Sequence, residues 1–169
     1  GDILLQEKIS ISPNDNVMIL HDKLAILGAK KILETVSGLE NGLIIPVKQN
    51  HARAIYAPKL KKEDGLINWE CSANDIFNLI RGTYKWPGAY TFFKDNRLKI
   101  LKAKMPIGMH EGKPASVLDI RQNGIEVATQ DGSLLITTVQ PEGKPGMDAY
   151  QFSLGHKIKA GDYFNSSVT

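Results

Sequence analysis

At 169 residues, with 21 Lys/Arg against 18 Asp/Glu, the chain is long enough for one domain or one and a half. Its single cysteine, Cys71, excludes an internal disulfide and a cysteine zinc cluster, and no apolar run reaches the roughly 18–20 residues of a membrane span. The net charge of +3 is local: residues 56–104 carry ten Lys/Arg against five Asp/Glu, while 1–55 balance at six each and 105–169 hold five against seven, which points to an anionic partner for the middle stretch.

In chain order, Asp2 to Ile11 alternates loosely and predicts a strand. No signal peptide is visible, and a start in a strand without an initiator methionine predicts a chain that is the downstream part of a longer protein. Ser12-Pro13-Asn14-Asp15 supplies side-chain oxygens for a helix start. Val17, Leu20, Leu24, Leu27, Ile32, Val36 and Leu39 then recur at helical spacing, predicting an amphipathic helix from Asn16 to Leu39 that ends at Asn41-Gly42. A strand and a helix cannot enclose a core, so residues 1–42 read as the tail of an α/β domain. Leu43 to Lys61, interrupted by Pro46, reads as a linker.

From residue 62 the pattern is that of a second domain. Ser72 with Asp75 three residues on predicts a capped helix over Ala73–Arg81, and Trp86-Pro87-Gly88 predicts a rigid corner. Alternating runs at 88–94, 97–104, 115–121, 124–130 and 133–139 predict five strands. Their joints are Asp95-Asn96, a loop at 105–114, Asn123-Gly124 and Asp131-Gly132. Five short strands and a helix suggest an oligonucleotide-binding-like open β-barrel. Asp148 caps a short helix to Leu154, and the tail from Asn165 is expected to fray.

No catalytic constellation emerges. His21, His51, His110 and His156 have no metal-ligand spacing and read as surface or boundary residues. Ser12, Ser72 and Ser133 lack a nucleophile elbow, and Cys71 has no basic partner that can be named. The lysines at 59, 61 and 62 read equally well as a solvated domain entry or as anion contacts. Along the second strand Arg97 and Lys99 alternate with Leu98 and Ile100, then Lys102 and Lys104 alternate with Leu101 and Ala103. The phase flips between Ile100 and Leu101, and one β-bulge there returns all four cations to one face. Tyr84, Trp86, Tyr90 and Phe92 could stack on unpaired bases, but aromatic residues around a helix-to-strand corner read first as core.

The motifs YAPKLKKEDGLINW, LIRG, WPGAYTFF and RLKILKAK, followed by GIEVATQDGSLLITTVQPEGKPGM and LGHKIKAGDYF, resemble the C-terminal domain of the methionyl-tRNA formyltransferase family. The opening GDILLQ resembles the segment just after the catalytic acidic residue of the same family's folate-binding domain. The sequence departs from that pattern at Thr83-Tyr84-Lys85, where the family often places a proline before the Trp.

The resemblance implies an α+β chain: a fragment of an α/β, Rossmann-like formyltransferase domain, then the barrel. It implies formyl transfer from 10-formyltetrahydrofolate to the methionine of initiator tRNA in the parent enzyme, with the catalytic Asn, His and Asp upstream of Gly1. This segment is expected to be inactive alone, to bind no cofactor itself, and to position tRNA. The expected partners are initiator methionyl-tRNA and the N-terminal domain of the same enzyme, with no membrane, a monomeric state and a cytoplasmic or organellar-matrix setting. The expected nucleic-acid contacts are Lys59, Lys61, Lys62, Arg81, Lys85, Arg97, Lys99, Lys102 and Lys104. The rival readings are another folate-dependent formyltransferase, of the sugar-nucleotide type or a formyltetrahydrofolate dehydrogenase domain, and a non-enzymatic nucleic-acid-binding barrel.

Overall fold

The computed structural model describes residues 1–105 and 112–165. His110 and most of the loop expected at 105–114 lie outside the described residues, as does the tail beyond Asn165. The chain divides into two compact units, Gly1–Lys59 and Leu60–Thr169.

The first unit is built on α1, Val17–Glu40. Asn16 starts it by accepting hydrogen bonds from the amides of Met18 and Ile19 at 3.0 and 3.1 Å, which satisfies two of the free donors of the first turn. Asn41 and Gly42, the latter at φ +67°, end it. Asp15, one of the residues expected to cap the helix, is buried and accepts instead from Lys23 Nζ and the Ser12 amide. No side chain of α1 is buried, and Ile26 and Leu33 are about three-quarters exposed at 76% and 73%. The strand expected over Asp2–Ile11 does not form. Ile3 makes a single two-bond bridge with Val47, and the rest of the run has no ladder neighbour to satisfy its backbone. Residues 43–59 are almost wholly exposed, with one short 3-10 turn at His51–Arg53 capped by Asn50.

The second unit is an antiparallel sheet with two helices. Its strands are β1 (Tyr90–Phe93), β2 (Asn96–Lys104), β3 (Val117–Arg121), β4 (Gly124–Ala128), β5 (Ser133–Pro141) and the short β6 (Met147–Asp148). The order across the sheet is β1-β2-β5-β4-β3, with β6 paired to β5. The sheet is open, not a closed barrel. Its two edges are nevertheless covered by one segment: Val117 and Asp162 pair at one edge, Phe92 and Asn165 at the other. Both edges thereby lose the exposed amides that would template pairing with another chain.

The helices seal the core. α2, Ala73–Gly82, is capped by Ser72, whose hydroxyl accepts from the Asp75 amide and donates to the Asp75 carboxylate. Asp131, from the β4–β5 turn, takes the Ala73 amide at 2.7 Å, so a residue 58 positions away completes the cap. Ile76 and Ile80 of α2 join Ile67, Trp69, Leu98, Ile100, Ile125, Val127, Leu134, Ile136 and Val139 in one buried cluster. α3, Ala149–His156, capped by Asp148, adds Phe152. The β1–β2 turn is Lys94-Asp95, both at positive φ (47° and 63°), one residue earlier than expected. A two-residue hairpin needs positive φ at both positions, which Asp tolerates better than most side chains.

Candidate nucleic-acid interface

The interface is organised by β2, whose inward residues Leu98 and Ile100 are buried while its cations are not. Pairing with β5 shifts register on either side of Lys102, which places the bulge where the phase of the sequence flips. Leu101 and Ala103 are consequently half-buried, while Lys102 and Lys104 are exposed. Without the extra residue, two lysines would face the core. Neither ammonium is in an ion pair among the described residues.

Around the first half of β2 the outer face is aromatic as well as cationic. Register sets Lys99 beside Tyr90 on one side and Gln140 on the other, with Arg97 opposite Phe92. The Arg97 guanidinium lies diagonally over the Tyr90 ring at 3.8 Å from its centroid, a cation–π contact that pins the group. Its Nε is buried and has no hydrogen-bond partner among the described residues. The stem of Lys99 runs over Gly88, where a β-carbon would stand 3.4–3.6 Å from its Cδ, Cε and Nζ. A cavity of about 250 Å³ opens here, lined by Arg97, Lys99, Gln140 and the Pro141–Gly143 turn.

The aromatic residues correct the expectation of a packed corner. Trp86 is 56% exposed, and Tyr84, Tyr90 and Phe92 are half-buried. The core uses Trp69, Phe93, Phe152 and Phe164 instead; Trp69 stacks on Phe164 and donates its indole N–H to Thr91 at 3.0 Å. A bond from Ile67 to Tyr90 brings Trp69 under the sheet, so the core place was already filled.

The remaining predicted contacts lie on other segments. Lys85 is exposed at φ +71°. Arg81 is held on its own helix, donating to Asn78 at 2.9 Å and lying over the Phe77 ring. Lys61 and Lys62 are exposed at the start of the second unit, where Asp64 takes the Lys61 amide; Lys59 closes the first. Gln140 and Glu142 were not singled out from sequence. The signal that could have found them is the β2–β5 register, which a hairpin pattern alone does not give.

At the other end of the sheet, Glu126 is fully buried, accepting from Ser133 at 2.7 Å and paired with Arg121 at 3.0 Å. The Arg121 guanidinium is held more firmly in its charged form, first by its hydrogen bond to Asp119 and then by the Glu126 charge. With Ser133 on one carboxylate oxygen and the Arg121 charge beside the other, this reads as a structural pair. Among the described residues no group of three or more His, Cys, Asp or Glu could hold a metal ion. Among the described residues no helix is long and apolar enough to cross a membrane.

Comparison with known proteins decides the family. Residues 59–157 match the model of the formyl transferase C-terminal domain. The chain belongs to that family. Among curated relatives of the formyl transferase kind, it is 48% identical over 95% of its length to methionyl-tRNA formyltransferase of Thermodesulfovibrio yellowstonii, covering 51% of that protein. It is 42% identical to the Geotalea daltonii enzyme of the same name, again over 95% of this chain and 51% of that one. The chain thus spans about half the length of the curated relatives it matches. Among solved structures, HypX from Aquifex aeolicus superposes with a TM-score of 0.65 at 19% identity, covering 90% of this chain and 28% of HypX. A second HypX structure, in complex with tetrahydrofolic acid, gives 0.54 at 21% identity over 72% of this chain and 22% of that one. At such identity the likeness shows a shared fold and nothing finer.

Proposed function

We propose that this chain is the tRNA-positioning part of a methionyl-tRNA formyltransferase, the enzyme that moves a formyl group from 10-formyltetrahydrofolate to the methionine of initiator tRNA. The carrying observation is the row Arg97, Lys99, Lys102 and Lys104, which a bulge returns to one face of a domain whose relatives bear that enzyme's name. Phosphate contacts of this kind fix register without reading sequence, which suits a module that holds a polyanion while chemistry proceeds elsewhere. The second unit, an open antiparallel sheet with two helices, serves in the manner of an oligonucleotide-binding open β-barrel. Residues 1–42 are the end of the Rossmann-like formyltransferase domain and 43–61 its linker; the open apolar face of α1 supports this, since a sheet of that domain is its natural cover.

The test is binding of the chain to tRNA across about 50–200 mM salt, with each neutralised phosphate contributing a slope near −0.9 in log K against log salt. Replacing Lys102 and Lys104 with Ala is expected to flatten that slope by about two units. Lys159→Ala, on the segment beside β3, is expected to leave it unchanged. Equal slopes for all three proteins would refute the face. Given 10-formyltetrahydrofolate and charged initiator tRNA, the chain alone is expected to show no turnover above a heat-killed control.

A further inference from the structure

Arg97 is pinned by the fold against an aromatic ring and still left with a buried donor unmet. Its guanidinium rests on Tyr90, yet its Nε reaches no acceptor among the described residues. A buried charged donor without a partner is costly, so such a group in a cleft points to a ligand or solvent that completes it. The cleft is the cavity of about 250 Å³ walled by Lys99, Gln140 and Glu142. A smaller one, about 140 Å³, adjoins it through Arg97, Pro141 and Glu142.

Glu142 is the informative residue. A row built only for phosphates gains nothing from a carboxylate lining the same cleft as its cations, because that charge opposes the ligand. Both signs are satisfied by a ligand that carries an anionic group and a hydroxyl donor a few ångströms apart. A ribonucleotide unit is such a ligand, with its phosphate and its ribose 2′-hydroxyl. We infer that this cleft is a ribonucleotide subsite: Arg97 and Lys99 take a backbone phosphate, and Glu142 accepts a hydrogen bond from the 2′-hydroxyl. The Tyr90 stack presents a rigid planar donor fork to that phosphate, which a free lysine cannot do. Lys102 and Lys104, exposed on flexible stems, supply charge; the cleft supplies register and a preference for ribose. The inference rests on the tRNA reading and specifies where and how the ribose is sensed.

The experiment compares binding of the whole chain to two hairpins of one acceptor-stem sequence, one RNA and one 2′-fluoro RNA. Both keep A-form geometry, but only the first offers a hydroxyl donor. The wild type is expected to favour RNA about tenfold, the size of one hydrogen bond to a charged group. Glu142→Ala is expected to bring the ratio near one. Removal of a repelling charge alone would strengthen both complexes equally and keep the ratio, and that result overturns the inference. Arg97→Lys conserves charge, so it is expected to weaken RNA binding about tenfold with an unchanged salt slope; unaltered affinity likewise overturns it. If Arg97→Lys melts the unit, Glu142→Ala on its exposed turn still decides. A wild-type ratio of one sinks this inference and spares the tRNA reading, whereas absence of any salt-dependent RNA binding sinks both.

Discussion

Gly124→Ala is expected to be among the most damaging single-methyl changes in the second unit. Gly124 opens β4 at φ +148°, and a β-carbon there would stand 2.2 Å from the carbonyl oxygen of Ile136. The obstacle is the backbone of β5, paired on both sides and unable to swing away. Forcing an extra carbon into packed surroundings costs about 1–3 kcal/mol. Holding a side-chain-bearing residue at such a φ adds about 1–3 kcal/mol. Together these remove about 2–6 kcal/mol from a unit whose whole stability is of order 5–15 kcal/mol. For a unit of this size, that loss lowers Tm by roughly 10–30 °C.

Thermal unfolding followed by near-UV circular dichroism reads it, since Trp69 is buried against Phe164. Gly155→Ala is the matched control: it lies inside α3, with nothing within 4 Å of the added carbon. That change is expected to stabilise by about 0.5–1 kcal/mol, because alanine loses less backbone entropy in a helix. A Tm loss below about 3 °C for Gly124→Ala would show that β4 and β5 do not approach as described.

Thr91→Val is expected to cost about 1–3 kcal/mol, because it strands the buried Trp69 indole N–H and removes the hydroxyl that donates to the Asn165 carbonyl at 2.8 Å. Urea unfolding checks it, and a midpoint like that of the wild type would refute the role given to that hydroxyl. Amide exchange of Leu20–Leu27 is expected to be far faster than that of the β4–β5 hairpin, because α1 buries no side chain. Equal protection would mean that α1 has found a cover, a second copy of the chain included.

Most local elements, and the family, were legible in the string of residues. Helical spacing placed α1 and α2 to within a residue or two, period-two runs placed the five main strands, and the phase flip at Ile100-Leu101 located the bulge. These are one-dimensional signals, because side-chain direction repeats every 3.6 or 2.0 residues and a slip in that repeat is visible in the string. The motifs from Lys59 onward carried the family in the same way. What required tertiary structure was everything set by pairing. Asp2–Ile11 alternates like a strand but has one bridge, because a strand exists only where a neighbour takes its hydrogen bonds. Trp86, Tyr90 and Phe92 look like core residues, but the core was filled by Trp69, Phe152 and Phe164 from distant segments, and which aromatic wins a place depends on the whole packing. The open sheet is covered at both edges by residues 161–165, a contact no local pattern encodes. Arg97, Gln140 and Glu142 meet only because β2 and β5 pair in one register, and register is a property of two strands together.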